Sequence, residues 1–103
     1  MAELSDSSAA FGNVSYVAQR SGESVTVAAT GANRTGGYHS FLQIDPAKTS
    51  PPQLDFINLA PPPGIIVTQM ITPFHATVTL LIPPDVMQVT INDREGAHQV
   101  KIS

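Results

Sequence analysis

Three histidines, His39, His75 and His98, are the side chains of this sequence suited to moving a proton near neutral pH or to holding a metal ion. They lie far apart and lack the close spacing by which a helix or a ribbon presents two imidazoles to one ion. His39 follows Tyr38 and His75 follows Phe74, which could bring both to one end of a fold, but no third ligand accompanies them. Asp45, Asp55, Asp85 and Asp93 mostly sit beside turns, where Asp caps the local backbone. Nothing pairs two acids as a glycosidase needs. Serines are common, yet none is framed by a nucleophile elbow of the GxSxG kind. There is no cysteine, which excludes disulfides, thiolate metal sites and a cysteine nucleophile. The expectation is a non-catalytic chain with no metal and no cofactor.

Recognition is the chemistry that remains, and three short segments are built for it. Arg34-Thr35-Gly36-Gly37-Tyr38 joins a glycine pair to an aromatic. The glycines allow positive φ and close backbone approach where a strand begins, and the tyrosine offers a rigid apolar ring with a polar tip. Pro61-Pro62-Pro63-Gly64 is stiff, because each proline fixes φ and favours an extended chain. Thr72-Pro73-Phe74 sets an aromatic behind a proline kink. Each segment also has a plain structural use: a turn with a packed tyrosine, a stop that blunts an edge strand, a strand opening. Clustered at one end and exposed, the three would form a pre-ordered binding surface with Tyr38 and Phe74 as anchors.

The elements that must position these segments are strands. Apolar residues alternate at Val14, Tyr16 and Ala18, at Val25 and Val27, and at Tyr38, Leu42 and Ile44. Leu54 and Phe56 share a parity, as do Phe74, Ala76, Val78, Leu80 and Ile82, then Val89 and Ile91, then Val100 and Ile102. "IIVTQMI", residues 65–71, reads as a further strand resumed after the prolines. Nine prolines and no sustained helical period exclude a helical fold. The pattern predicts an all-β, Ig-like antiparallel β-sandwich of seven to nine short strands. Val27, Leu42, Phe56, Val78, Leu80 and Ile91 are expected in its core.

The chain has 103 residues, enough for one core. Residues 1–11 read as a flexible N-terminal leader and 12–103 as a single sandwich domain. Net charge is −3 with five Lys and Arg, too little positive charge to neutralise a run of phosphates, so nucleic acid is not an expected partner. No apolar run is long enough for a transmembrane helix, and no membrane insertion is expected. The start has no signal-peptide pattern. The expected compartment is periplasmic or extracellular if a signal peptide was removed, and otherwise cytoplasmic. Asn13-Val14-Ser15 and Asn33-Arg34-Thr35 fit the N-glycosylation triplet.

"RTGGYHSFLQI" followed by "PPPGIIVTQMITPFHATVTL" resembles the PrcB C-terminal domain family of bacterial proteins. Thr35 to Tyr38 match that family's TGGY strand head, Pro63-Gly64 its proline-glycine stretch and Val67-Thr68-Gln69 its VTQ. Thr72-Pro73-Phe74 match its T-x-P-[YF] with one residue fewer. A looser similarity of layout is to the chagasin-type inhibitors of cysteine proteases, whose three end loops come in the same order. The resemblance implies a non-catalytic protein-binding module that docks onto a protease or another surface or secreted protein, in an inhibitor-like manner or as a subunit of a surface complex. The alternative is a purely structural β-domain of a larger assembly.

Overall fold

A computed structural model of the chain describes residues 11–49 and 52–103, and the side chains of 14–45 and 52–103. The leader expected over 1–11 lies outside the described residues except for Phe11, which opens the first strand, and so does the side chain of Asn13. Seven strands are described: β1 (Phe11–Ser21), β2 (Ser24–Asn33), β3 (His39–Thr49), β4 (Pro52–Leu59), β5 (Thr72–Leu81), β6 (Gln88–Asp93) and β7 (Gly96–Lys101). They form a β-sandwich: one sheet has the order β1-β2-β5 and the other β3-β4-β6-β7. All ladders are antiparallel except β4–β6, which runs parallel over Gln53–Asp55 and Thr90–Asn92. A parallel pair departs from the all-antiparallel expectation, and it arises because the chain crosses to the other sheet and back between these two strands.

Alternation produces the core directly. In β2, Val25, Val27 and Ala29 point inward and are buried, while Thr26 and Thr30 face solvent. Leu42, Leu54, Phe56, Val89 and Ile91 close the core from the other sheet. Val78 and Leu80 also point inward but stay half-buried. The cause is position: β5 lies at the edge of its sheet, with only β2 as a ladder partner among the described residues, and β3 approaches it from the other sheet without pairing.

Two devices hold the sheets together away from the core. Residues past β7 lie beside β1: Ala18 and Ile102 form a parallel bridge, Arg20 N donates to Ser103 O at 2.9 Å, and Ser103 N donates to Ala18 O at 3.0 Å. The Arg20 guanidinium donates to the carbonyls of Ile82 at 2.8 Å, Pro83 at 3.1 Å and Val86 at 2.9 Å. It thereby fixes the β5–β6 connection.

The segment 65–71 is not a strand. Pro61, Pro62 and Pro63 carry no N–H to join a ladder, and Gly64 turns the chain at φ 84°. The segment must also pass from β4 in one sheet to β5 in the other, and no strand pairs with it among the described residues.

Candidate functional site

The three marked segments meet at one end of the sandwich. Thr72 and Pro73 pair with Asn33 and Ala32 at the end of the β2–β5 ladder, and Gly36 N donates to Thr68 O at 3.0 Å. Gly37 lies against the proline run: a Cβ there would stand 2.7 Å from Val67 Cγ1 and 3.1 Å from Pro61 Cβ. With φ at 87°, position 37 admits glycine on both counts. Loops 34–38 and 60–71 thus brace one another through close backbone approach.

Beneath them lies a floor of three polar side chains that span the two sheets. Asn58 Nδ2 donates to Asn33 Oδ1 at 2.7 Å, Ser40 Oγ donates to Asn58 Oδ1 at 2.7 Å, and Asn33 Nδ2 reaches Ser40 Oγ at 3.4 Å. Asn33 is 3% exposed and Asn58 is fully buried. No buried side-chain polar atom among the described residues lacks a partner, so the triad closes without an unpaired donor or acceptor. Asn33 fits the N-glycosylation triplet, but its amide is spent inside the fold, which leaves no room for a glycan on it.

Phe74 is not an exposed anchor. Its ring sits over Gly31, stacks on Phe56 with centroids 5.4 Å apart and packs on the core. Tyr38 is half-buried; Arg34, Gly37, Pro62, Pro63, Gly64 and Pro73 are exposed; and Thr35, Gly36, Pro61 and Thr72 are partly covered. The apolar surface of this end comes instead from the residues read as a strand: Ile65 is 57% exposed, Ile66 98%, Met70 67% and Ile71 55%. Residues 60–74 contain no formal charge, and Arg34 is the single one in 33–38. The signal that would have found this surface is a run of apolar residues directly behind three prolines.

The titratable groups gather elsewhere. At the β6–β7 turn Asp93 accepts from the Tyr16 hydroxyl at 2.5 Å and from Glu95 N at 2.8 Å, and it bonds His98 Nε2 at 2.9 Å. Burial opposes ionisation of Asp93, but the bonds from Tyr16, His98 and the Glu95 backbone outweigh it and hold the carboxyl below the usual range. Burial, then the hydrogen bond to Asp93 and its charge, push the Tyr16 phenol well above its ordinary value. Such a phenol is a poor nucleophile, and the carboxylate is saturated with donors, so the cluster acts as a structural lock.

A carboxyl held low contributes stability that is complete above the unfolded-state range and is lost as pH falls through the folded value. Tyr16→Phe is accordingly expected to cost about 1.5–3 kcal/mol at neutral pH, the worth of a hydrogen bond to a charged group. The gap to wild type should shrink in acid. Urea titrations at several pH values check this, and a pH-independent gap would assign the loss to packing alone.

His39 opens β3 and His75 lies inside β5, in different sheets, and among the described residues no three His, Cys, Asp or Glu side chains gather as a metal site would require. Comparison with protein-family models, curated proteins and solved structures returns no match.

Proposed function

We propose that this chain is a non-catalytic protein-binding module whose contact surface is the braced end formed by residues 34–38 and 61–71. The observation that carries the reading is Ile66, 98% exposed on a loop fastened by the Gly36–Thr68 bond. Solvated isoleucines and a methionine held side by side resemble the apolar patches of interaction sites. Prolines and the cross-loop bond have already removed most of the freedom that docking would otherwise cost. The partner is a protein with an apolar recess, and the resemblance to the PrcB C-terminal family makes a protease or a surface-complex subunit the class to try first.

Capture from the native host with wild type, Ile66→Lys, Tyr38→Ala and, at the opposite end, Met87→Lys tests this. Ile66→Lys should weaken capture of the specific partner by at least about tenfold, since burying an isoleucine is worth roughly 1.5–3 kcal/mol, with Met87→Lys unaffected. Binding should also change little with salt, because the patch is uncharged. Equal capture by wild type and Ile66→Lys, both folded, would place the partner elsewhere.

A further inference from the structure

The free edge of β5 differs from every other edge of the sandwich. The flanks of β1 and β7 are joined through Ala18 and Ile102. β3 breaks register between Ile44 and Thr49, and such an irregularity is a usual protection against strand addition. β5 has none of these. It pairs with β2 in ten unbroken steps from Ser24–Leu81 to Asn33–Thr72. Its residues include no Lys, Arg, Asp or Glu, and its one proline is Pro73 near the start. Its outer edge leaves a regular row of backbone donors and acceptors without ladder partners among the described residues.

A second observation says what kind of cover is missing. Across the β2–β5 ladder, Val25 opposes Leu80 and Val27 opposes Val78. The β2 members are fully buried, whereas Leu80, Val78 and Phe74 are only half-buried. The core on the β5 flank is thus closed only in part, by the approach of β3 from the other sheet without a ladder, and a strand paired to β5 would complete the cover.

We propose that a second copy of this chain supplies that strand, by antiparallel β5–β5 pairing about a two-fold axis at Thr77. In this register Ala76 meets Val78 of the other copy and Phe74 meets Leu80, so inward faces stay inward and the two cores join. On the outer face His75 meets Thr79, and Pro73 meets the exposed Leu81. No like charges oppose one another, and the exposed apolar group at one strand's end meets the start of the other. The product is a continuous six-stranded sheet, with the two braced loop ends pointing in opposite directions. A foreign strand would use the same edge, but it would not need this self-complementary order.

Because the chain has no cysteine, single nitroxide labels report the arrangement cleanly. Labels at Thr77→Cys should couple strongly, with Cβ atoms about 5 Å apart across the axis. Labels at Val17→Cys on β1, in line with Thr77 through Ala28, should lie about five strand spacings, ~24 Å, apart. Sedimentation should show a dimer that Thr77→Lys weakens about tenfold by placing two lysines opposite one another. Ile66→Lys should leave it intact, which separates this result from the loop-end reading. A monomer up to ~1 mM, a dimer whose position-77 labels do not couple, or one indifferent to Thr77→Lys overturns the proposal.

Discussion

Phe56→Ala is expected to lower the unfolding free energy by about 3–5 kcal/mol, the range for removing a buried phenylalanine without collapse of the site. Phe56 belongs to β4, yet its main neighbours come from the opposite sheet. Tyr16 of β1 meets it edge-on at 6.1 Å, and Phe74 of β5 stacks on it at 5.4 Å. His98 continues the row at 5.4 Å from Tyr16. The neighbours cannot fill the gap, because Tyr16 is tied to Asp93 and Phe74 is seated over Gly31. Against a typical total of roughly 5–15 kcal/mol, such a loss brings the protein close to its limit. Phe56→Leu, nearer in volume, should cost about 1.5 kcal/mol or less. Equilibrium urea denaturation of both variants gives the comparison. A loss below that figure for Phe56→Ala would show that the aromatic row rearranges.

The second large effect falls on the polar floor. Asn58→Ala should cost about 3 kcal/mol, because buried Asn33 Oδ1 loses its donor and the partly buried Ser40 hydroxyl its acceptor, each left-over group being worth about 1–3 kcal/mol. Once the triad is broken, Asn33→Ala has less left to lose. The double variant should therefore be more stable than the sum of the singles predicts, by about 1 kcal/mol or more. Strict additivity would mean that the three side chains act independently. The Gly36 amide, bonded to Thr68 O above this floor, should exchange with solvent faster in Asn58→Ala, which would link the floor to the set of the loops.

Much of this was legible from residue parity. Leu54 and Phe56 identify the inward face of β4, and Val25 and Val27 that of β2. The same count reaches Asn58 and Asn33, so the buried floor was readable had the parity been carried past the last apolar residue. Phe74 shows the opposite slip: its parity with Ala76 and Val78 already placed it in the core, while its position behind a proline suggested exposure. Residues 65–71 depart from the strand expected there for a physical reason. A short apolar run has the composition of a strand, but strandhood requires a neighbour to pair with, and pairing is not a local property. The parallel β4–β6 ladder and the bare β5 edge escape sequence reading on the same ground.

The strand order also dictates when the molecule can be assembled. Thr26 waits for Thr79, 53 residues later, and Ala18 for Ser103, 85 residues later. At about 5–20 residues per second of synthesis, the valines of β2 emerge roughly 3–10 s before the strand that pairs beside them. The β3–β4 hairpin can close early from local pairing, and its Leu42, Leu54 and Phe56 relieve part of that exposure from the other sheet. Refolding of the released chain, dominated by such distant pairings, belongs on the order of milliseconds to seconds. Most of the vulnerable interval is therefore spent on the ribosome, where the core stays incomplete until residues 102–103 have been made.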